Sequence, residues 1–123
     1  MIEGKVTARR DAVVPIVNVG QDRETTCEAV VDTGFTEFLA LPPNLVAQLG
    51  LSFVDVSRAM LADGSIVGFD LYRAVVVWNE IRRDILIHAS DGGPLLGMSM
   101  LYGSRLLIDV VDGGAVQIES TTP

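Results

Sequence analysis

Apolar and polar positions alternate with a period of two along most of this chain. Val, Ile, Leu and Thr dominate residues 3–9, 12–19, 25–31, 53–60, 66–78, 84–89, 105–111 and 115–119. A period of two places successive side chains on opposite faces of an extended backbone, so each stretch is predicted to be a strand. Between them, NVGQDRE at 18–24, ADGS at 62–65, WNEIRRD at 78–84, SDGGP at 90–94 and DGG at 112–114 collect turn-forming residues. Many short strands with frequent turns predict an all-β, mainly antiparallel domain that closes, fully or by half, into a small barrel.

Two stretches break the period. LPPNLVAQLGL at 41–51 has proline where a first helical turn tolerates it, apolar residues at 45, 46 and 49, and Gly50 as a stop. GMSMLYG at 97–103 has room for one helical turn between glycines. No linker or low-complexity tract interrupts residues 1–123, which are expected to form one domain.

Composition narrows the functional classes. A chain of 123 residues that is 49% hydrophobic can bury a real core. Nine Lys and Arg against sixteen Asp and Glu give a net charge of −7, and no basic stripe offers itself to nucleic acid. The N-terminal stretch lacks the apolar run of a secretory signal, and no segment approaches membrane-spanning length. A soluble cytoplasmic protein, with no membrane partner, is expected. One cysteine, Cys27, and one histidine, His88, cannot make an internal disulfide or a structural zinc set. A Cys27–His88 nucleophile pair is conceivable, but TTCEAVV and ILIHAS both read as ordinary strands.

The chemistry centres on AVVDTGFTEFLALP at 29–42, where Asp32 interrupts an apolar run. A carboxylate there is costly to bury unless its neighbours stabilise it. Thr33 brings a hydroxyl that donates and accepts, and Gly34 lets backbone N–H groups approach closely. A plain Asx turn between strands would use the same residues. VVDTG at 30–34 returns as VVDGG at 110–114, but position 113 lacks a hydroxyl and only eleven residues follow Asp112. Asp112 therefore reads as a hairpin-turn residue rather than a second acidic loop.

Three features occur in order: the apolar-apolar-Asp-Thr-Gly loop with its FLALP continuation, a glycine-tipped hairpin MLADGSIVGF at 60–69, and PLLGMSML at 94–101. In this the chain resembles the retropepsin-like aspartic proteases, over roughly residues 25–110, and above all their small prokaryotic single-domain type. The resemblance implies an acid-protease-like barrel with one or two short helices. It implies Asp32 as the catalytic acid, supported by Thr33, Gly34, Phe35 and Thr36. Ala62, Asp63, Gly64 and Ser65 would form the tip of a substrate-covering flap, and Leu95, Leu96 and Gly97 the second signature. Phe35 departs from the family pattern, which has a small or hydroxyl residue there, and this bears on substrate range and rate.

Peptide hydrolysis by this route needs one carboxylate as general base toward water and a second, protonated one as donor. With one such loop per chain, the second acid is expected from another copy, so the enzyme is expected to be a homodimer acting on an extended peptide or protein substrate. Like charges about 3 Å apart cannot both ionise, as pairs of this kind in aspartic proteases are known for, so activity is expected to favour acid pH. No cofactor or metal is implied. A catalytically silent dimerisation or peptide-binding module on the same fold is the alternative.

For association, KVTA at 5–8 and AVQIE at 115–119 have the alternation of interleaving terminal strands, and Phe35, Phe38 and Leu39 offer another surface. Trp78 and Tyr72 read as core or barrel-end residues, Arg82 and Arg83 as solvated turn charges, and Met98 and Met100 as packing. Ser99 and Ser65 have no evident basic partner, so serine chemistry is not expected.

Overall fold

The computed structural model describes residues 1–121 and contains ten strands and two short helices. In chain order they are β1 (Ile2–Val6), β2 (Ala12–Val19), β3 (Glu24–Val31), β4 (Leu39–Leu41), α1 (Pro43–Leu49), β5 (Ser52–Met60), β6 (Ile66–Trp78), β7 (Ile81–Ala89), β8 (Leu95–Leu96), α2 (Met98–Leu101), β9 (Ser104–Ile108) and β10 (Ala115–Ser120). The strands run in the order β5-β6-β7-β4-β8-β3-β2-β1-β10-β9, and β2 pairs additionally with β6. That extra pairing, Val17 opposite Val77, closes six strands into a ring. Most neighbours are antiparallel, as the pattern predicts, but β3 runs parallel to β8 and β4 parallel to β7.

Alternation explains the ring. Along β2, Val14, Ile16 and Asn18 point inward, and Ala29 of β3, Val76 of β6 and Ile87 of β7 meet them in the core. Pro15 lies in the gap where β2 changes partner from β1 to β6, a place in a strand that tolerates a residue without an N–H. β4 does not alternate: Leu39, Ala40 and Leu41 are all buried, because the strand is hemmed in by β7 and β8. Three consecutive apolar residues carry no period, which is why the pattern alone does not mark them as a strand.

Helix α1 follows its sequence signals. Pro42 precedes it, Val46 and Leu49 are buried against the ring, and Gly50 stops it at φ +66°. In that left-handed conformation the Gly50 N–H still donates to the Ala47 carbonyl.

Three boundaries differ from the sequence expectation. The turn expected over 78–84 is only Asn79 and Glu80, both at positive φ, so Arg82 and Arg83 are ladder residues of β7 rather than turn charges. β1 ends at Val6, where Thr7 to Arg10 turn the chain. β9 ends at Ile108, and Val110 and Val111 are exposed in the loop before β10. Asp112 sits in that turn beside Gly113, at φ +71°, as read from the sequence.

Trp78 is buried in the core and Tyr72 packs edge-on against Phe53 at the barrel end. The terminal strands pair with each other inside one chain, Ile2 opposite Ile118. Hairpin β5–β6 projects past the ring, and its tip, Leu61 to Ser65, is exposed.

Candidate active site

Strand β3 delivers Asp32 to the rim of the ring. Its pairing with β8 continues one residue past the strand, through an Asp32 N–H to Leu96 carbonyl bond of 2.9 Å. The chain then turns sharply, with the Phe35 N–H donating to the Asp32 carbonyl at 3.1 Å. Inside this turn the Gly34 N–H donates to Asp32 Oδ1 at 3.0 Å. A Cβ on Gly34 would stand 3.3 Å from that oxygen, a tight contact that the glycine avoids. The Asx turn and the acidic loop are thus one object: the turn fixes the half-buried carboxylate.

The segment after β8 braces this loop from behind. Gly97 N–H donates to the Phe38 carbonyl at 3.0 Å, Met98 N–H to Phe35 at 2.8 Å and Ser99 N–H to Glu37 at 3.2 Å. Ser99 Oγ donates to the Thr36 carbonyl at 2.5 Å. Ser99 therefore supports the loop, a role that sequence reading missed because it asked only whether the hydroxyl had a basic partner. Asp32, Thr33, Gly34, Phe35, Thr36, Leu95, Leu96 and Gly97 are all gathered at this one place.

Two hollows flank the loop. Gly34 and Phe35 border a cavity of about 390 Å³ closed by Ser57, Ala59 and Phe69 of the β5–β6 hairpin and by His88. Thr33 and Thr36 border a wider groove of about 750 Å³ that runs past Phe38, Arg83 and Tyr102 to Ser104 and Leu106. The residues Ala62, Asp63, Gly64 and Ser65 form the hairpin tip as expected, but it is the stem that covers the cavity. At the tip, Ser65 donates to Asp63 through its N–H at 2.9 Å and its Oγ at 2.6 Å, and these bonds hold the Asp63 carboxyl below its usual range.

No family model matches the sequence, and no curated protein matches it. The fold does have a solved counterpart: the crystal structure of a retropepsin-like aspartic protease from Rickettsia conorii is similar at a TM-score of 0.55. The likeness covers 96% of this chain and 92% of that one, at 21% sequence identity. The fold is retropepsin-like.

Within this retropepsin-like fold, Phe35, Phe69 and His88 wall the cavity together. The His88 ring meets Phe35 edge-on at 5.7 Å and Phe69 at 6.0 Å, and its Nδ1 is buried without a partner. Burial pushes the imidazole below its ordinary value, against a smaller opposing pull from Glu37. The unfolded chain thus takes up a proton more readily than the folded one. Stability from this residue is intact above the ordinary imidazole value of about 6.5 and declines as pH falls from there through the lower folded value. Urea unfolding at a series of pH values should show the parent losing stability more steeply than His88→Phe over that window; parallel curves would remove His88 as the cause.

The remaining sequence candidates are placed elsewhere. Cys27 accepts a bond from the buried Asn18 side chain at 3.3 Å, and burial pushes its thiol up; His88 is not its partner. Leu39 is fully buried, so the surface expected from Phe35, Phe38 and Leu39 does not exist as such. Arg82 pairs with Glu24 on the exterior, whereas Arg83 lies over the Phe38 ring and is half-buried, not a freely solvated charge. Met100 is packed in the core and Met98 is exposed. Among the described residues no cluster of three or more His, Cys, Asp or Glu could hold a metal, and no helix is long and apolar enough to cross a membrane.

Proposed function

We propose that this chain is an aspartic endopeptidase that acts as a homodimer, with Asp32 of each copy supplying one of two catalytic carboxylates. The observation that carries this reading is the fixed Asp32–Gly34 turn, braced by Gly97, Met98 and Ser99, at the rim of a retropepsin-like ring. Each chain offers one such acid, and the chemistry needs two.

In this scheme an extended peptide lies between the loop and the β5–β6 hairpin, with one side chain in the cavity walled by Phe35, Phe69 and His88. One carboxylate takes a proton from water as the water attacks the scissile carbonyl carbon. The other, protonated, donates to the carbonyl oxygen, and collapse of the tetrahedral species passes a proton to the leaving amine. The Gly34 N–H, already on Asp32 Oδ1, orients the carboxylate. Thr33, exposed next to it, faces the side from which the second copy comes. The acid pair itself activates the water, so no metal or organic cofactor enters.

The test is hydrolysis of denatured casein from about pH 3 to about pH 7, with the protein diluted serially at each pH. Acid-favoured cleavage whose initial rate falls with the square of protein concentration at high dilution is expected. A folded dimer that binds peptides but leaves casein intact at every pH would support the silent binding module instead.

A further inference from the structure

The proposed function puts one side chain of a bound peptide in the cavity under the β5–β6 hairpin, and the inference about that side chain rests on this reading. At about 390 Å³ the cavity has room for a large side chain, since a closed pocket of ~150 Å³ already holds benzene. Its apolar wall consists of the Phe35 and Phe69 rings with Ala40, Ala59 and Leu95. Aromatic pairs that meet offset or edge-on gain more than their buried area alone, so a flat aromatic occupant suits this wall best.

The polar lining selects further. Glu37 and Arg58 border the cavity with opposite charges, so a charged side chain of either sign meets one like charge there. His88 brings a donor. Its Nδ1 is sealed from solvent without a partner, whereas Nε2 is neither sealed nor bonded among the described residues, so Nε2 is the nitrogen open to an occupant. An orphaned buried N–H is rarer than an orphaned acceptor, and neutral imidazole carries one proton, which therefore belongs on Nε2. Burial holds the ring toward that neutral form. After a second protonation, on Nδ1, Nε2 would donate all the same. The Glu37 carboxylate, close enough to pull on the imidazole, supplies an acceptor in the same cavity.

An occupant that expels water from this donor and this acceptor must replace the lost hydrogen bonds or leave both groups unpaired. Aliphatic and phenyl side chains replace neither bond. A phenol replaces both, because its hydroxyl accepts one bond and donates another. An amide side chain could also pair with both groups, but it brings no ring to Phe35 and Phe69.

We propose that the cavity is a tyrosine pocket in which His88 sets specificity. The ring of a tyrosine in the bound peptide lies against Phe35 and Phe69, and its hydroxyl accepts from His88 Nε2–H and donates to the Glu37 carboxylate. His88 touches the substrate but takes no part in cleavage. What it discriminates against is phenylalanine, which fits the same walls.

The test uses alanine-based peptides that differ at a single position, occupied by tyrosine, phenylalanine or glutamine. The parent is expected to cleave the tyrosine peptide with a kcat/KM at least about tenfold above that of either other, the worth of one hydrogen bond otherwise left unmade. His88→Phe keeps an aromatic wall and lacks the donor, so its ratio of tyrosine to phenylalanine cleavage should fall to about one. A second reading needs neither cleavage nor a His88 variant. His88 is the only histidine, so NMR of the imidazole nitrogens in the Asp32→Asn protein reports it without assignment. The proton is expected on Nε2, and the Nε2 signal should shift on saturation with the tyrosine peptide and hold still with the phenylalanine peptide. Equal cleavage of the tyrosine and phenylalanine peptides by the parent, an unchanged ratio in His88→Phe, a preference for glutamine, or an Nε2 signal indifferent to tyrosine would each overturn the proposal. The Nε2 shift without hydrolysis sinks the protease reading alone, and hydrolysis that treats tyrosine and phenylalanine alike sinks this one alone.

Discussion

Asp32→Asn should lower peptide hydrolysis by at least about four orders of magnitude, because it removes the general base and the general acid together and each is worth about 10²–10⁴-fold. The substitution is nearly isosteric. Asparagine can still accept the Gly34 N–H through its carbonyl oxygen, so the turn that holds position 32 should survive. Unfolding temperature and dimerisation are expected to match the parent, which separates loss of chemistry from loss of fold. Mixing gives a sharper reading. When parent and variant are dissociated and reassociated in equal amounts, roughly a quarter of the dimers carry two acids, if copies combine at random. Activity per total protein should then fall to about that fraction rather than to one half. A value of about one half would mean that each carboxylate acts on its own, and about three quarters that one per dimer is enough, both contrary to the two-acid scheme.

Gly97→Ala is expected to be the most damaging single methyl addition near the site. A Cβ there would stand 2.0 Å from the Glu37 carbonyl oxygen and 2.8 Å from the Phe35 carbonyl oxygen and ring. Both carbonyls are fixed by the hydrogen bonds from Met98 and Ser99, so relief means pushing the acidic loop away from its brace. Overpacking of this kind costs about 3 kcal/mol or more, equivalent to a fall in Tm of roughly 10 °C or more. Gly93→Ala is the control, since a Cβ at that nearby glycine meets nothing within 4 Å. Thermal unfolding of the two variants side by side gives the answer. Equal Tm values would mean that the loop and the 96–99 segment are not tightly coupled.

The barrel could be read from the sequence where a strand has one wet and one dry face. β2 and β6 show this most clearly, and the span 66–78 agrees with the structure at both ends. Helix α1 was legible for a different reason: proline at its start and Gly50 at its end are local backbone constraints that need no tertiary context. The acidic loop and the apolar-apolar-glycine segment were each visible as motifs. Their mutual hydrogen bonding was not, because Gly97 has no side chain whose pattern could point to Phe35 and Glu37. Likewise Asn79 and Glu80 form a two-residue turn without the glycine that usually signals one, which hid the first three residues of β7. The placement of Arg83 was lost with them. His88 looked like any alternating strand residue, and only the closing of the hairpin over β7 sets it between two phenylalanines.

The brace behind the acidic loop also has a meaning in time. Ser99 and Thr36 are 63 positions apart in the chain, and the β3–β8 pairing of Val30 with Leu95 joins residues slightly farther apart still. Contacts of such separation form late, after the entropy of closing a long loop has been met. A ribosome emits the acidic loop well before its support, so the loop leaves the ribosome without the contacts that shape it. The order of synthesis thereby keeps a half-made chain from holding an organised acidic loop.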